Sequence, residues 1–579
     1  MGDLKYLNKF FWQYKKLFFL GIFFVSISNI FAVYPAEFVR DAIDAIFDKK
    51  NNIRENIYRT VIFYSMLIIG FAILKGVFMY LMRQTIIVMS RRIEYDLKNE
   101  IYYHYQKLNT AFYKKNKTGD LMNRISEDVS RVRMYLGPCV MYTVNIIILF
   151  SLIIFKMVLI NIKLTLYVIL PLPVLAFSVY YVSKNINIRS NEVQKQLSKI
   201  TSLSQESFSG IKIIKSFNKE NDIWKIYLKN CKKYISKQLN LVKIEALFFP
   251  LIIVLIGVST ILVVYIGGQE SFKGKISIGN IAEFIIYVNM LAWPIASIGW
   301  VTSLVQRASA SMKRINSFLL TNEKIKNYTI KKTPVSNTIS FINVSFTYKN
   351  TNIKALDNVS FLIQKGQTVG FFGKTGSGKS TVAQLLCRLY DVDGGDINFG
   401  NINIKKLNLF NLRGAIGYVP QDGYLFSGSI KRNIAFGYEK IDHKKMIDAA
   451  KISGIYKEID NFPNGFDTVI GERGVQLSGG QRQRLSIARM IYKEPKIIIL
   501  DDCLSAVDKN KEKLILKNLK ELFKDCVLII ISHRINSFIN ADNIIVIEKG
   551  KIKSQGSHNN LVKNCNLYSK IFNRQNKDL

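Results

Sequence analysis

Residues 373–380 read Gly373-Lys374-Thr375-Gly376-Ser377-Gly378-Lys379-Ser380 and match the pattern G-x-x-x-x-G-K-[ST]. The octapeptide follows an apolar stretch, 368–372, and opens a helix-forming stretch at Thr381, which is the strand–loop–helix context that the pattern requires. Glycines let successive backbone N–H groups point inward, and a helix N-terminus adds positive potential. We predict that this loop, including Thr381, binds the phosphates of a nucleotide, with Lys379 at the β- and γ-phosphates and the Ser380 hydroxyl on Mg²⁺.

Two further apolar stretches end in residues suited to phosphate chemistry. The stretch 497–500 is followed by Asp501 and Asp502, and the stretch 527–531 is followed at a short distance by His533. A carboxylate at the tip of a buried strand can hold hydrated Mg²⁺, and the next carboxylate can orient the attacking water. A neutral histidine can donate to the γ-phosphate at pH 7. Together with the loop, this set predicts hydrolysis of a nucleotide, with Asp501 as a metal ligand and Asp502 and His533 as catalytic residues.

The carboxyl-terminal half has the pattern of an α/β domain. From residue 339 onward, apolar residues first alternate with polar ones, and short apolar strands then alternate with helical stretches. The preceding segment, 320–338, is polar and lacks long apolar runs. We therefore predict a linker at 320–338 and a nucleotide-binding domain at 339–579.

The first 319 residues are predicted to form an all-α transmembrane domain of six helices. Apolar stretches long enough to cross ~30 Å of hydrocarbon, at about twenty residues each, occur at 17–34, 57–82, 135–160, 164–181, 246–267 and 278–300. The segments 84–133 and 182–243 contain ten and thirteen Lys and Arg residues, whereas the connections 160–164 and 269–277 contain one and two. The positive-inside rule therefore places both long segments in the cytoplasm. We interpret them as helices that extend beyond the membrane and turn back near Gly119 and Gly210.

A few charged residues fall within or beside the apolar stretches, and intramembrane charge is usually functional. Lys75, Lys156 and Glu245 have simple explanations, since they can pair with another charge or snorkel to the membrane surface. Glu283 and Asn289, in the last stretch, are our candidates for side chains that face a transport cavity.

The charge and cysteine content narrow the possible partners. The chain has 81 Lys and Arg against 42 Asp and Glu, a net charge of +39, but its basic residues are spread along the whole sequence. Such charge is mostly solvated surface, so we expect no nucleic-acid partner. The six cysteines are scattered without a C-x-x-C pair, which argues against a metal cluster or a disulfide framework.

A family resemblance rests on Leu477-Ser478-Gly479-Gly480-Gln481, the signature of ATP-binding-cassette (ABC) ATPases. Over its full length the chain resembles an ABC exporter half-transporter, with six spans followed by one cassette. Further positions match the motifs of the family in order: Tyr348 resembles the aromatic residue that stacks on adenine, Gln421 the catalytic and metal-binding glutamine of the Q-loop, Glu472 the X-loop, Ser505-Ala506-Val507-Asp508 the D-loop and His533 the switch histidine. Gly119 and Gly210 fall where the family places its coupling helices.

The resemblance implies a mechanism. One cassette is half a site, because the family's signature caps the γ-phosphate bound to a second cassette; Ser478 and Gly479 would do this at a helix N-terminus. It implies a homodimer or a heterodimer with another half-transporter, in contact with membrane lipid, that exports a hydrophobic or amphipathic molecule by alternating access. The implied location is a bacterial inner or plasma membrane with the ATPase domain in the cytoplasm. An ATP-gated or regulatory membrane protein without net pumping is the alternative.

One position departs from the family pattern. Most exporters carry Glu directly after the Mg²⁺ aspartate, whereas this chain carries Asp502. Loss of one methylene withdraws the carboxylate by on the order of 1 Å, and catalytic geometry tolerates little displacement. Two hypotheses follow: a heterodimer whose partner supplies the stronger Glu, or a homodimer with weak hydrolysis.

Overall fold

The amino-terminal part of the chain is helical, as its hydropathy predicts. The computed structural model describes residues 2–47, 54–322, 325–329, 331–471, 474 and 477–577. A 3₁₀ turn at Gly2–Leu7 precedes thirteen α-helices in the described residues up to 319: α1 (Asn8–Gln13), α2 (Lys15–Phe47), α3 (Arg54–Lys107), α4 (Thr110–Lys115), α5 (Thr118–Asn123), α6 (Val129–Met134), α7 (Val140–Ile160), α8 (Ile162–Ile169), α9 (Pro171–Ser209), α10 (Ile211–Ser216), α11 (Glu220–Ala246), α12 (Phe248–Phe272) and α13 (Ile278–Leu319). Two π-helical segments, Arg124–Asp128 and Tyr135–Cys139, flank α6.

Five helical stretches in the described part of the chain are long and apolar enough to cross a membrane: Lys15–Phe47, Tyr58–Lys107, Thr118–Ile160, Glu220–Phe272 and Ile278–Leu319. Many of their large apolar side chains are exposed, among them Phe63 and Tyr265, as expected for surfaces that face lipid rather than water. The sixth predicted span, 164–181, is not one of the five. It is divided at Leu170 between α8 and α9, and α9 continues as a polar helix to Ser209.

The two turns that the sequence predicts to be cytoplasmic differ in how well their positions were predicted. Gly210 separates α9 from α10, so the second turn lies where the glycine indicates. The first turn begins earlier than the glycine indicates: α3 ends at Lys107, and only the second break, at 116–117 after α4, lies close to Gly119 in the first turn of α5. The Asn109 side chain accepts a hydrogen bond from the Phe112 N–H and begins α4, so an asparagine cap, not a glycine, makes this turn.

Two compact units divide the chain. One contains residues Met1–Gln106 and Thr118–Thr321, and the other contains Lys107–Lys117 and Asn322–Leu579. The helix α4 of the first turn therefore belongs to the unit of the carboxyl-terminal domain. This assignment differs from the predicted boundary at residue 319, because sequence position alone does not show where a short inserted helix packs.

Within the first unit, two of the predicted intramembrane charges, Glu283 and Lys156, have partners of opposite charge. Glu283 is fully buried and accepts hydrogen bonds from Arg40 Nη1 (3.2 Å) and the Tyr287 hydroxyl (2.8 Å). It therefore links α13 to α2 and does not face an open cavity, in contrast to our expectation. Lys156 Nζ lies 2.5 Å from Glu37 Oε1, so pairing explains this residue too. Asn289 is exposed and donates to the Ile285 carbonyl (2.8 Å) within its own helix.

The same two helices approach closely at Gly279. The Asp44 carboxylate of α2 accepts hydrogen bonds from the Gly279 N–H (2.8 Å) and the Ser277 hydroxyl (2.6 Å) at the first turn of α13. A Cβ at position 279 would lie 2.5 Å from the Arg40 carbonyl oxygen and 2.6 Å from Asp44 Oδ1. Only glycine fits this contact.

The second unit has the α/β pattern predicted for the carboxyl-terminal half. Its strands are β1 (Ile339–Tyr348), β2 (Ile353–Ile363), β3 (Thr368–Phe372), β4 (Gly394–Phe399), β5 (Ile402–Asn403), β6 (Ile416–Val419), β7 (Gly428–Ser429), β8 (Val469–Ile470), β9 (Ile497–Asp501), β10 (Val527–Ile531), β11 (Asn543–Glu548) and β12 (Lys551–Gly556). Its further helices are α14 (Lys379–Leu386), α15 (Leu409–Ala415), α16 (Ile430–Ile434), α17 (His443–Ile452), α18 (Tyr456–Asp460), α19 (Gly479–Tyr492), α20 (Lys509–Leu522), α21 (His558–Asn564) and α22 (Asn566–Lys577).

The sheet topology positions the site. A six-stranded sheet has the order β12-β11-β3-β10-β9-β6, parallel except for β12, and an antiparallel sheet has the order β2-β1-β4-β5. The strands β3, β9 and β10 are buried at every residue and are neighbours in the first sheet. Because parallel strands end at the same edge, the three sequence motifs that follow them meet there.

Candidate nucleotide-binding site

The loop 373–380 joins β3 to α14 and requires its glycines. Gly373, Gly376 and Gly378 all have positive φ, at 157°, 78° and 110°. A Cβ at Gly378 would lie 2.3 Å from the Ala355 carbonyl oxygen, so this position has both a backbone and a packing reason for glycine. Lys374, Thr375 and Gly376 form the exposed crest of the loop, whereas Ser377 is buried.

Lys379 is folded over the loop. Its side chain is nearly buried, and its ammonium donates to the carbonyl oxygens of Gly373 (2.8 Å) and Lys374 (2.9 Å). Burial lowers the pKa of Lys379 to about 8, partly offset by the negative charges of Asp502 and Asp501. The ammonium is thus held at the loop, in a place where phosphate oxygens can replace the carbonyls as its partners.

The affinity of the nucleotide-free protein for ATP should fall as the pH rises above about 8. The Lys379 ammonium begins to lose its proton near that pH, whereas phosphates bound to it keep it charged. Each pH unit above this pKa should therefore raise the Kd for ATP about tenfold, until the pH reaches the pKa that Lys379 has in the ATP complex. Equilibrium binding of ATP across this pH range measures the effect. The Lys379→Arg variant, which stays protonated, is the control, and an equally flat profile for the unmodified protein would contradict the prediction.

Asp501 lies at the end of β9 with two hydroxyl partners. The Ser380 hydroxyl donates to Asp501 Oδ1 (2.8 Å) and the Tyr418 hydroxyl donates to Oδ2 (3.2 Å). Burial raises the pKa of Asp501, and these two hydrogen bonds oppose the rise. The described residues contain no cluster of three or more His, Cys, Asp or Glu side chains with metal-site spacing. One carboxylate and one hydroxyl suit Mg²⁺, however, because this ion usually takes its remaining ligands from phosphates and water.

Asp502 is held in an unusual backbone conformation beside the predicted metal ligands. Its φ is +48°, and its N–H donates to the Ile531 carbonyl oxygen at the end of β10 (2.7 Å). Gln421 Nε2 lies 3.4 Å from Asp502 Oδ2, which brings the Q-loop residue to the same edge of the sheet. Non-glycine residues with positive φ store strain and concentrate at functional sites.

His533 follows β10 at the same edge. Burial lowers its pKa, with a further contribution from the Lys379 charge, so its imidazole is neutral at pH 7. The Gln575 side chain of α22 donates to the His533 carbonyl oxygen (2.7 Å) and accepts from the Ile535 N–H (3.0 Å). The carboxyl-terminal helix therefore holds the backbone of the predicted switch histidine.

The signature begins α19. Leu477 is buried, and the exposed Ser478 forms a capping box with the half-buried Gln481, with Ser478 Oγ accepting from the Gln481 N–H. A Cβ at Gly480 would lie 2.8 Å from the Ala506 carbonyl oxygen, and one at Gly479 would lie 3.5 Å from Ala506 Cβ. The signature glycines thus pack directly against the D-loop.

Two side chains outside the predicted motifs hold the D-loop in place. Gln483 Oε1 accepts from the Ala506 N–H (3.0 Å), and Arg534 Nη2 donates to the Ser505 carbonyl oxygen (2.7 Å). Val507 is buried, and Asp508 precedes α20. The D-loop is therefore tied to both α19 and the residue after His533.

The remaining predicted residues are placed as follows. The Tyr348 hydroxyl lies 3.1 Å from both Thr381 Oγ1 and Gln384 Oε1, so the predicted adenine-stacking ring is attached to the helix that follows the loop. Glu472 of the predicted X-loop lies outside the described residues. Sequence reasoning missed Tyr418, Gln483, Arg534 and Gln575. A signal existed only for Tyr418, since a tyrosine in an otherwise apolar strand needs a partner for its hydroxyl.

Comparisons with known proteins also divide the chain into a helical membrane part and an ATP-binding part. Residues 18–295 match the ABC transporter transmembrane region family, and residues 356–505 match the ABC transporter family of ATP-binding domains. Two curated relatives come from Bacillus subtilis (strain 168). The ABC transporter ATP-binding protein YknU, described as uncharacterized, is 33% identical over 100% of this chain and 98% of its own. The probable multidrug resistance ABC transporter ATP-binding/permease protein YheI is 33% identical over 99% and 97%.

A relative from Buchnera aphidicola subsp. Baizongia pistaciae (strain Bp), the multidrug resistance-like ATP-binding protein MdlA, is 34% identical over 99% of both chains. The solved structure of a bacterial Atm1-family ABC exporter with ATP bound superposes with a TM-score of 0.81, at 23% identity, and covers 97% of this chain and 99% of that one. The chain therefore belongs to the ABC transporter family, as an exporter-type protein that joins a transmembrane region to a cassette coupling ATP hydrolysis to transport.

Proposed function

We propose that this chain is one half of a dimeric pump that exports a hydrophobic or amphipathic molecule at the cost of ATP. The observation that carries the proposal is the exposed Ser478 of the signature at the start of α19. Ser478 caps the N-terminus of this 14-residue helix and remains accessible to solvent. A helix N-terminus of this kind binds phosphate, and the phosphate that fits the family pattern is the γ-phosphate on a second cassette.

Each residue of the nucleotide site then has a defined part. Lys379 and the loop N–H groups bind the phosphates, Asp502 orients the water, Gln421 positions that carboxylate, and His533 donates a hydrogen bond to the γ-phosphate. Ser380, Asp501 and Gln421 would hold Mg²⁺, which supplies charge neutralisation on the phosphate oxygens when bound. The D-loop, packed on the signature, would transmit closure between the two cassettes.

Two observations support an amphipathic substrate. Glu283 and Lys156 are engaged with partners of opposite charge in the described membrane helices, so these charges are not free for a strongly charged cargo. The relatives YheI and MdlA are named for multidrug resistance. We propose a similar class of substrate for this chain. Asn289 is exposed on α13 and is our remaining candidate for a polar contact with the substrate. The bacterial relatives support an inner or plasma membrane location with the cassette in the cytoplasm.

Transport by the purified protein in liposomes tests the proposal. We expect ATP to drive the accumulation of a lipophilic dye in vesicles whose outward-facing cassettes receive ATP and Mg²⁺. The Asp502→Asn variant, which should bind ATP without hydrolysing it, is the matched control. ATP hydrolysis without dye flux, across a panel of dyes and lipids, would favour the alternative of a regulatory or ATP-gated protein.

A further inference from the structure

A cavity of about 770 Å³ lies beside Tyr348, within the unit of the ATP-binding domain. Its lining comes from the end of β1 and the following turn, from the segment 390–393, from Ile325, and from Asn109, Ala111 and Lys114 in and before α4. The volume is within the range of small-molecule pockets, about 300–1,000 Å³. Residues of α4 and its cap thus line a pocket next to the ring expected to stack on adenine.

Lys114 is the cationic member of this turn that reaches the ring. Its ammonium lies 5.3 Å from the Tyr348 ring centroid and 5.6 Å from the Tyr390 ring centroid. Both distances are within the range of cation–π attraction, about 6 Å. The Tyr348 ring is otherwise fixed, since its hydroxyl contacts Thr381 and Gln384 and its ring packs against Phe346 at 4.9 Å.

A purine that enters the cavity and stacks on Tyr348 meets the Lys114 ammonium, because both side chains line the same space. The cation and the base compete for the electron-rich face of one ring. We propose that Lys114 occupies the base position of the nucleotide-free cassette, and that ATP displaces it. The inference rests on ATP binding by the cassette and not on the export that we propose.

The Lys114→Met variant tests this inference, because methionine keeps the apolar stem and removes the charge. Loss of an exposed cation–π contact that competes with the base should tighten ATP binding by roughly two- to fivefold. The measurement is equilibrium binding of ATP to the full-length protein in detergent, without hydrolysis. Lys115→Met is the matched control, since Lys115 is exposed and lies outside the cavity lining, and it should leave the affinity unchanged.

Further measurements distinguish an effect of Lys114 on binding of the base from a general effect of its charge on binding of phosphate. Inorganic tripolyphosphate lacks a base, so its affinity should be the same for Lys114→Met and the unmodified protein. In a Tyr348→Leu background, Lys114→Met should no longer change ATP affinity. Lys114→Arg, which keeps a cation over the ring, should bind ATP like the unmodified protein. Weaker or unchanged ATP binding by Lys114→Met, or an equal effect on tripolyphosphate, would overturn the inference, whereas a failure of dye transport would leave it intact.

Discussion

Replacing Asp502 by glutamate should raise the ATP turnover of the purified homodimer by about tenfold to a hundredfold, because a displacement of on the order of 1 Å in a catalytic group costs that much. The longer side chain advances the carboxylate from the edge of the sheet, where Asp502 now lies 3.4 Å from Gln421 Nε2. Phosphate release at saturating ATP measures the change. An unchanged rate would show that this side chain does not limit hydrolysis and would remove the argument for a stronger partner site.

Asparagine at position 502 is the matched variant. The backbone at this position has a φ of +48°, which asparagine adopts about as readily as aspartate. Asp502→Asn therefore changes the charge without changing the local conformation, and it should reduce turnover by about a hundredfold or more while ATP binding persists. Glutamate is less favoured at positive φ. A modest loss of thermal stability in Asp502→Glu is expected alongside its higher rate.

Two inactive variants should restore activity when they are combined in one dimer. Lys379→Met removes the cation from the phosphate loop, and Ser478→Arg places a bulky cation at the signature. Each variant alone should lose ATPase activity by about a hundredfold or more, since every shared site in its homodimer is defective. In a mixed dimer, the intact loop of one chain faces the intact signature of the other, so one complete site is formed.

Mixed dimers are obtained by co-expression with two different affinity tags and sequential purification. We expect them to hydrolyse ATP at up to roughly half the rate of the unmodified protein, because one of the two sites is complete. A mixed dimer as inactive as its parents would contradict the shared site for this chain as a homodimer. The same experiment then has to be repeated with a second half-transporter that carries the usual glutamate.

The grouping of the candidate site residues was largely predictable because they lie in contiguous motifs at the ends of apolar strands. The fixed spacing of the loop places Lys379 and Ser380, and the parallel strands β3 and β9, which both pair with β10, bring Asp501 to them. The contacts of Gln575 with His533 and of Gln483 with Ala506 were not predictable, since a glutamine on a helix carries no signal of its partner.

The transmembrane part was less predictable for a physical reason. Hydropathy locates apolar helices but does not show which residues pair between them, so the contact of Glu283 with Arg40, 243 residues away, could not be foreseen. Glycine indicated the second cytoplasmic turn but not the first, where Asn109 provides the helix cap. The placement of α4 with the ATP-binding domain depends on tertiary packing, which local sequence does not encode.

The junction at Gly279 limits where a cargo pathway can form. Separating α2 from α13 there would remove the hydrogen-bond donors of the Asp44 carboxylate and break the ion pair between Glu283 and Arg40. Both changes cost free energy in a medium of low dielectric constant. The two helices should therefore move together as one rigid body during the transport cycle. We therefore expect a lateral opening for a lipid-soluble molecule between other helices of the bundle, where only apolar surfaces have to separate.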